Sequence, residues 1–535
     1  MQQIHMSLDT SAKRDSRRRA TTKSTEICFI PVNGVTNKHQ TTRNDLLALA
    51  KARSHAARIS HAARRRRQHT GLAIRTAHGP TDLGRREDSL GQPTMLLSQS
   101  KRDPFCSFPM SNKSLLASAC LEYAYSDVYP PLLLQSTQSR EIVSVEATWR
   151  RIGLEWPLMF HLQVAGALNV VRVHTGFIPS AQSEIVRLKN QNQGLSMLMS
   201  ILHDLQSPPS DALIMAMVIA GMLCDTIELP LPRTEPVSPI AMAQNLHIFG
   251  RLAMVPATLG ALVSMIDRRG GIENVTGYGM LGILQFTDLL LASRTSSPPV
   301  FACVAAVYSL PGEEWRPDQQ AMQMWESIGQ GFDGIVGLDK ELLQVLGSMC
   351  EVTVAIDHYQ HRRERAHAPA LRDILGAANV TQHELLSRLK PKTVNTRPVQ
   401  TLCHEAALIY SDFVMFPLPQ CCGVRSTAAR RLLIVIEQLE KDDAQYTVRA
   451  NDDGVSPSPA VAALLMWALV LGALAASDDL DKRYYRLKLM KRLKMSDVRC
   501  WNDFKNTMRR FLWWDYMFTD RVADLWEEVG HNVKP

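Results

Sequence analysis

From about residue 113 onward, apolar residues recur at intervals of three and four, which is the period of helices that bury one face. Alternating Val, Ile and Thr runs of the strand type are scarce, whereas Leu, Ala and Met dominate the apolar set. The pattern therefore predicts an all-α, multi-helix protein. The candidate helices cover residues 113–127, 157–171, 182–204, 210–224, 238–250, 255–268, 279–293, 318–329, 338–367, 401–415, 424–441, 459–476, 482–493 and 498–530.

The first hundred residues lack this pattern. They are polar and low in apolar content, so we expect residues 1–102 to form a largely disordered arm, with a helix near 43–68 and a Gly-, Ser- and Thr-rich linker after it. Residues 103–535 are expected to form the helical domain. Pro-rich breaks at 229–239, 297–311 and 391–398 separate groups of helices within it.

Charge divides the chain at the same place. Residues 1–100 hold 18 of the 60 Lys and Arg against 7 of the 52 Asp and Glu, a net +11, and the remainder carries 42 against 45, a net −3. Such a basic arm is typical of a nuclear-import signal or of non-specific contact with nucleic-acid phosphates, and it is also compatible with a solvated arm that has no specific partner. The candidate targeting or nucleic-acid contact residues are Lys13, Arg14, Arg17, Arg18, Arg19, Arg53, Arg58, Arg64, Arg65, Arg66 and Arg67.

Ten cysteines are spread along the chain, and no Cys-x2-Cys pair occurs among them. This spacing argues against a zinc ribbon or a thioredoxin-type redox motif. The first twenty residues are charged and contain no apolar stretch of the secretory type, so we expect a reducing compartment and free thiols.

Two apolar features stand out near the C-terminal end. Residues 460–476 form a run of 17 without a charge, which is shorter than the roughly 20 residues that a bilayer core requires, and we expect a buried core helix there rather than a membrane span. Five of the nine tryptophans fall at positions 467–526, at spacings that favour packing in the core.

The motifs that could carry chemistry are weak. Gly277–Gly282 and Gly329–Gly334 both match G-x-G-x-x-G, but neither follows a convincing strand, so we interpret both as turns. His358 and His361 lie one helical turn apart beside Asp357, and no third metal ligand can be named for them. We therefore expect no enzyme activity, no cofactor and no metal site.

Several short segments together resemble the fungal-specific transcription factor domain family, the branch that often accompanies a binuclear zinc cluster. The opening resembles it in the Arg53–Arg58 run that ends in Arg64–Arg67 and in residues 103–109. The body resembles it in the helix around Trp156–Ala167 and in a helix followed by Arg269-Gly270-Gly271. The remaining similar segments are Glu184–Lys189, Asp211–Ile214, His247–Gly250, Phe286–Asp288, Glu405–Tyr410, Leu465–Gly472 and Phe511–Trp513.

The resemblance implies a helical regulatory domain of this family, here without the six-cysteine DNA reader. We accordingly expect a nuclear, non-enzymatic transcriptional regulator that acts through protein partners of the transcription machinery or through non-specific phosphate contacts with DNA. The alternative is a cytoplasmic helical scaffold that docks on acidic partners or on an anionic membrane surface. A third class, a ligand-responsive or enzymatic helical domain, would need a pocket with convergent polar groups.

Overall fold

Helices account for nearly all regular structure in the computed structural model, which describes residues 115–129, 139–175, 180–223, 225–226, 238–253, 256–277, 279–303, 315, 317–361, 369–389, 397–449 and 458–530. The only strands in these ranges are β1 (Asp225–Thr226) and β2 (Leu252–Ala253), a two-residue antiparallel pair. The all-α class predicted from the apolar pattern is confirmed. All described helices belong to one compact unit.

The N-terminal half of that unit is built around one helix that is buried on all sides. The half contains α1 (Leu115–Tyr123), α2 (Ser139–Glu155), α3 (Pro157–Thr175), α4 (Ala181–His203), α5 (Asp211–Leu223), α6 (Pro239–Ala243), α7 (Leu246–Phe249), α8 (Pro256–Arg268) and α9 (Met280–Thr295). Helix α3 packs against α1, α2, α4 and α5, and every residue from 161 to 170 is buried. Some of its buried polar side chains contact neighbouring helices; His161 Nδ1, for example, lies 2.9 Å from Asn190 Oδ1 of α4.

The C-terminal half has two such central helices. It contains α10 (Gln319–Ser327), α11 (Gln330–Asp333), α12 (Lys340–His361), α13 (Leu371–Ser387), α14 (Pro398–Val414), α15 (Val424–Arg449), α16 (Pro459–Ala475), α17 (Asp479–Lys494), α18 (Trp501–Arg509) and α19 (Asp515–Gly530). Residues 402–414 of α14 and 464–472 of α16 are all buried. The apolar run at 460–476 is therefore a core helix, as predicted, and no helix in the described ranges has the length and apolar content to cross a bilayer.

The single helix predicted over 498–530 is wrong, because the structure has two helices separated at residues 510–514. Four consecutive apolar residues, Phe511 to Trp514, are at most 3 % exposed. A continuous helix would turn these side chains in different directions, whereas the irregular segment buries all four. Other elements satisfy the freed backbone groups: Gly331 N donates to Arg510 O at 2.6 Å, and Trp467 Nε1 donates to Leu512 O at 2.9 Å.

The structure adds two long helices that the apolar pattern does not predict, α2 and α13, besides the four-residue helix α11. Helix α13 buries Ile374, Leu375, Ala378 and Leu385, which share one face, but it also contains Gly376 and other weak helix formers. Helix α2 is polar, with an apolar stripe that includes the buried Trp149. In both segments, tertiary packing of a short apolar stripe outweighs modest intrinsic propensity.

Candidate interaction surface

Helix α17 is the most basic of the described helices, and its ends are capped by local rules. Its sequence is DLDKRYYRLKLMKRLK. The carboxylate of Asp478, the N-cap, accepts a hydrogen bond from Leu480 N at 2.8 Å, and Asp479 and Asp481 lie in the first turn. Lys491, Arg492 and Lys494 lie in the last turn. This distribution complements the helix dipole at both ends, so the helix is stable as a highly charged segment.

One face of α17 fixes it to the core. Tyr485, Leu489 and Leu493 are fully buried, and Tyr485 Oη donates to Ala429 O of α15 at 2.6 Å. The Tyr485 ring lies directly on α16 at Gly472, where an added Cβ would overlap the ring atom Tyr485 Cε1. Only glycine leaves room for the ring, and its absent side chain allows the close approach of the two helices.

The basic residues on the flanks of α17 form ion pairs with neighbouring helices. Lys488 pairs with Glu440 of α15, and Arg492 Nη2 lies 3.7 Å from the same carboxylate. On the other flank, Arg486 Nε lies 2.7 Å from Glu528 Oε2 of α19. These ion pairs neutralise basic side chains on the two flanks of α17. The outward face of the helix takes no part in them.

The outward face has a different composition. Residues 480, 483, 487, 491 and 494 follow the spacing i, i+3, i+7, i+11 and i+14, so they lie along one line of the helix, about 21 Å long. We call this line, together with the C-cap residue beside it, the α17 face. It consists of Leu480, Arg483, Leu487, Lys491, Lys494 and Met495, all of which are exposed.

Apolar and cationic groups alternate on the α17 face. Leu480 is 76 % exposed, Leu487 53 % and Met495 70 %. Within the described part of the chain, Arg483, Lys491 and Lys494 form no hydrogen bond or ion pair. A single exposed leucine is ordinary on a protein surface, but three large apolar side chains on one line, interleaved with these three cations, are typical of a docking surface.

The chemistry of the α17 face favours an acidic and apolar partner. Phosphate contacts alone use Lys and Arg and gain nothing from exposed leucines. An amphipathic helix with leucines on one face and carboxylates beside them would cover Leu480, Leu487 and Met495 and neutralise the three cations. The face is thus suited to helix-on-helix recognition with charge complementarity.

The eleven basic residues predicted as targeting or nucleic-acid contacts all lie at positions 13–67, outside the residues that the structure describes. The predicted helix near 43–68 lies outside them too. The α17 face is not among the sequence predictions, although the helix itself is predicted at 482–493. The signal available in the sequence is the density of Lys and Arg between Leu480 and Met495.

The two G-x-G-x-x-G matches lie at turns that begin helices. Gly279 adopts a left-handed conformation (φ +70°) as the N-cap of α9, after a 3-10 turn at Ile272–Asn274. Gly329 does the same (φ +87°) before α11, directly after α10. Because neither loop follows a strand, neither has the setting of a dinucleotide-binding loop.

The paired histidines of α12 face different neighbours. His358 is fully buried, and its Nδ1 accepts a hydrogen bond from Trp315 Nε1 at 2.9 Å. His361 is more exposed and lies 3.1 Å from Asp357 Oδ1, which also accepts a hydrogen bond from Trp514 Nε1 at 2.8 Å. The described residues contain no group of three or more His, Cys, Asp or Glu side chains that could hold a metal ion.

Buried ion pairs join α14 to α15. Arg425 Nε donates to Asp412 Oδ2 at 2.5 Å, and Arg431 pairs with Glu405 at 3.0 Å. Burial raises the pKa of Asp412 and the Arg425 guanidinium opposes that effect. The cavity beside these pairs has a volume of about 10 Å³, enough for one water molecule, so we interpret the cluster as structural.

A larger hollow of about 270 Å³ opens between α10, α11 and α12. Polar and apolar groups contribute about equally to its walls, which include Trp325, Phe332 and Leu346 and the two acidic residues Asp333 and Glu351. Burial raises the pKa of Glu351. The hollow is half open, and nothing in its walls converges on a reacting position.

Comparisons with protein-family models, with curated proteins and with solved structures found no match to this chain.

Proposed function

We propose that this chain is a nuclear transcriptional regulator whose helical domain binds an acidic, amphipathic segment of a partner protein on the α17 face. The observation that carries the proposal is the alternation of Leu480, Leu487 and Met495 with Arg483, Lys491 and Lys494 on one exposed line. The net +11 charge of residues 1–100 supports a nuclear location, because Arg-rich runs are the common form of import signal. The resemblance to the fungal-specific transcription factor domain family favours the same role.

The partner's chemistry follows from the face. A helix of about 15 residues spans the roughly 21 Å between Leu480 and Lys494. Leucines on its apolar face would cover the three apolar side chains, and glutamates along the edge would lie beside the cations. Because long-range attraction between opposite charges accelerates association and falls with salt, binding should be both fast and salt-sensitive.

The binding test uses the full-length protein and a labelled synthetic peptide of about 15 residues with leucines on one helical face and glutamates beside them. Fluorescence anisotropy should show saturable binding that weakens when Leu480 and Leu487 are both changed to glutamate. A peptide with the same composition in scrambled order is the control for non-specific charge attraction. Equal binding of the scrambled peptide would refute helix-on-helix recognition.

The nuclear part of the proposal has its own test. A fluorescently tagged full-length protein should accumulate in the nucleus, and replacement of Arg64, Arg65, Arg66 and Arg67 by alanine should abolish that accumulation. Replacement of Arg85 and Arg86, which lie outside the Arg-rich cluster, is the matched control. Unchanged localisation of the fourfold variant would contradict the targeting role of the run.

A second candidate function uses the same surface. Leucines interleaved with Lys and Arg also suit the interface of an anionic membrane, where the apolar side chains insert and the cations meet lipid phosphates. This is the cytoplasmic scaffold alternative. Co-sedimentation with phosphatidylserine-containing vesicles, lost in the Leu480→Glu, Leu487→Glu double variant and absent with neutral vesicles, would favour it over the nuclear regulator.

A further inference from the structure

Two adjacent cysteines occupy the turn between α14 and α15. Cys421 and Cys422 close a 3-10 turn, Gln420–Cys422, that begins after Pro419 and ends at Gly423, whose φ of +68° is in the left-handed region. Both thiols are free, and both residues are half-buried rather than enclosed. A small molecule in solvent can therefore reach this turn.

The turn is held against a distant segment by the second cysteine. Cys422 Sγ donates a hydrogen bond to Gly250 O at 2.8 Å, across 172 positions of sequence. The contact is close enough that a Cβ at position 250 would stand 2.5 Å from Pro419 Cδ. The position of the pair is thus fixed by the contact of Cys422 with the Gly250 backbone.

The charges around Cys421 favour its thiolate. The adjacent Cys422 thiol, followed by the positive charges of Arg251 and Arg294, lowers the pKa of Cys421 to about 7. Both guanidinium groups are fixed, since Arg251 Nη1 donates to Val173 O at 3.3 Å and Arg294 Nη1 donates to Leu252 O. A thiolate flanked by cations is the nucleophilic form of cysteine.

Two groups near the pair have the opposite electrostatic effect, and neither cancels the lowering of the Cys421 pKa. Asp412 is the carboxylate that faces Cys422, and its charge is matched by the Arg425 guanidinium. Cys422 has a raised pKa, first because of the adjacent Cys421 thiol and then because of burial. The opposite directions suit Cys421 to the role of nucleophile and Cys422 to the role of resolving group in a dithiol reaction.

No other cysteine in the described ranges combines partial exposure, an adjacent cysteine and nearby cations. Burial raises the pKa of Cys120, Cys350 and Cys403. Cys303 and Cys500 are exposed, but neither has an adjacent cysteine that could resolve a sulfenic acid. Exposure alone would make Cys303 and Cys500 react before Cys421, whereas the adjacent thiol and the nearby cations favour reaction at Cys421 first.

We propose that Cys421 and Cys422 form a peroxide-sensing dithiol that is converted to a disulfide between adjacent residues. In the first step, the Cys421 thiolate attacks one oxygen of hydrogen peroxide, an S–O bond forms, the O–O bond breaks and hydroxide leaves, taking up a proton to become water. In the second step, Cys422 loses its proton and attacks the Cys421 sulfur, the S–S bond forms, and the sulfenic oxygen leaves as water. Two thiols are oxidised by two electrons, and one peroxide is reduced to two waters.

The reaction has a direct structural consequence. Formation of the disulfide consumes the Cys422 Sγ–H, so the hydrogen bond to Gly250 O is lost. A disulfide between neighbouring residues also closes a small ring that the present turn must rearrange to accommodate. Oxidation would therefore loosen the α14–α15 turn from the segment that carries Gly250 and Arg251.

The test is oxidation of the full-length protein with equimolar hydrogen peroxide at pH 7.5, followed by alkylation of remaining thiols and peptide mass analysis over time. The expected product is a Cys421–Cys422 disulfide, and it should form before Cys500 is modified. Loss of the Cys500 thiol first, or equal rates for both sites, would overturn the proposal. This comparison is internal to the wild-type chain and does not depend on a variant that folds.

Two variants separate the steps. Cys422→Ser keeps a hydroxyl that can donate to Gly250 O, but it cannot resolve the intermediate, so a Cys421 sulfenic acid should accumulate and be trapped by dimedone. Arg294→Gln should slow the first step roughly 1.5- to threefold at pH 7.5, because removal of a nearby cation raises a thiol pKa by about half a unit to one unit and so lowers the thiolate fraction. An unchanged rate in Arg294→Gln together with disulfide formation in Cys422→Ser through another cysteine would show that this pair has no special role.

Discussion

Helices α4 and α17 both present a line of five exposed residues with the same spacing, and only one of the two lines is charged. On α4 the line is Ile185, Leu188, Asn192, Ser196 and Met199, and a single cation, Lys189, lies at its edge. At the corresponding positions, α17 has Leu480, Arg483, Leu487, Lys491 and Lys494. Exposed apolar residues are thus common to both helices, whereas interleaved cations are particular to α17.

The two helices also differ in how they are attached to the core. Helix α4 packs on α3 at Gly194, where an added Cβ would meet the end of the flexible Leu162 side chain at 2.8 Å. Helix α17 packs on α16 at Gly472 against the rigid ring of Tyr485, whose hydroxyl is itself bonded to α15. The helix with the charged face is therefore positioned by a rigid ring, which suits a surface that binds a partner without rearrangement.

Substitution of the apolar residues on each line tests the difference between α17 and α4 most directly. The Leu480→Glu, Leu487→Glu double variant should weaken binding of the acidic amphipathic peptide by about 3 kcal/mol, roughly 100-fold, because it removes apolar contacts and adds like charge. The matched variant, Ile185→Glu with Leu188→Glu on α4, should bind the peptide as the wild type does. Equal losses in both variants, measured by anisotropy, would mean that the peptide does not distinguish the two faces.

The two glycine contacts offer a second test, on stability. Gly472→Ala should lower the free energy of unfolding by about 2 kcal/mol, since the Tyr485 ring must move and its hydrogen bond to Ala429 O is strained. Gly194→Ala should be close to neutral, because a gain of about 1 kcal/mol in helix propensity offsets a small shift of Leu162. Urea unfolding of both variants beside the wild type measures the difference. A greater loss at Gly194 would contradict the distinction between a rigid and a flexible neighbour.

The cations of the α17 face are expected to contribute less to peptide binding than its leucines do. Lys491→Gln with Lys494→Gln should weaken peptide binding by about 1 kcal/mol at low salt, and the difference from the wild type should shrink as NaCl rises to about 0.5 M, where the Debye length is only a few ångströms. Anisotropy titrations at two salt concentrations give both quantities. Lys189→Gln on α4 is the control, and its binding curve should overlay that of the wild type at either salt.

The smallest expected effect concerns stability at exposed apolar positions. Leu487→Ala and Leu188→Ala should each change the free energy of unfolding by no more than about 0.5 kcal/mol, because neither side chain is enclosed by the fold. Leu489→Ala, two residues away on the buried side of α17, should cost about 3 kcal/mol. A large loss in Leu487→Ala would show that this leucine packs against the protein and is not available to a partner.

Much of the fold could be predicted from the period of apolar residues. The helices at 157–175, 181–203 and 459–475 are predicted to within a few residues because their apolar positions are dense and their N-terminal boundaries are marked by Pro or Ser. The break at 510–514 could not be read from the pattern, since four consecutive apolar residues fit a helix as well as a buried irregular segment. It depends on partners elsewhere in the chain, such as Gly331 and Trp467.

The candidate surface is harder to predict than the helix that carries it. Apolar residues occur all around α17, at Leu480, Leu487, Leu489 and Leu493 among others, so the sequence does not indicate which of them face solvent. The rotation of the helix is fixed by the burial of Tyr485, Leu489 and Leu493, with Tyr485 packed on Gly472. Similarly, the Cys421–Cys422 pair is visible in the sequence, but Arg251 and Arg294, which contribute to the lowered pKa of Cys421, are more than a hundred residues away.

The hydrogen bond from Trp514 Nε1 to Asp357 has a consequence for the order in which the chain can fold during synthesis. The two residues are 157 positions apart, and Ser238 Oγ likewise bonds to Val414 O across 176 positions. Contacts of such separation form only after the later residue has left the ribosome. Until Trp514 emerges, Asp357 of α12 lacks this partner, so the face of α12 that meets Trp514 stays uncovered while the 157 residues after Asp357 are synthesised.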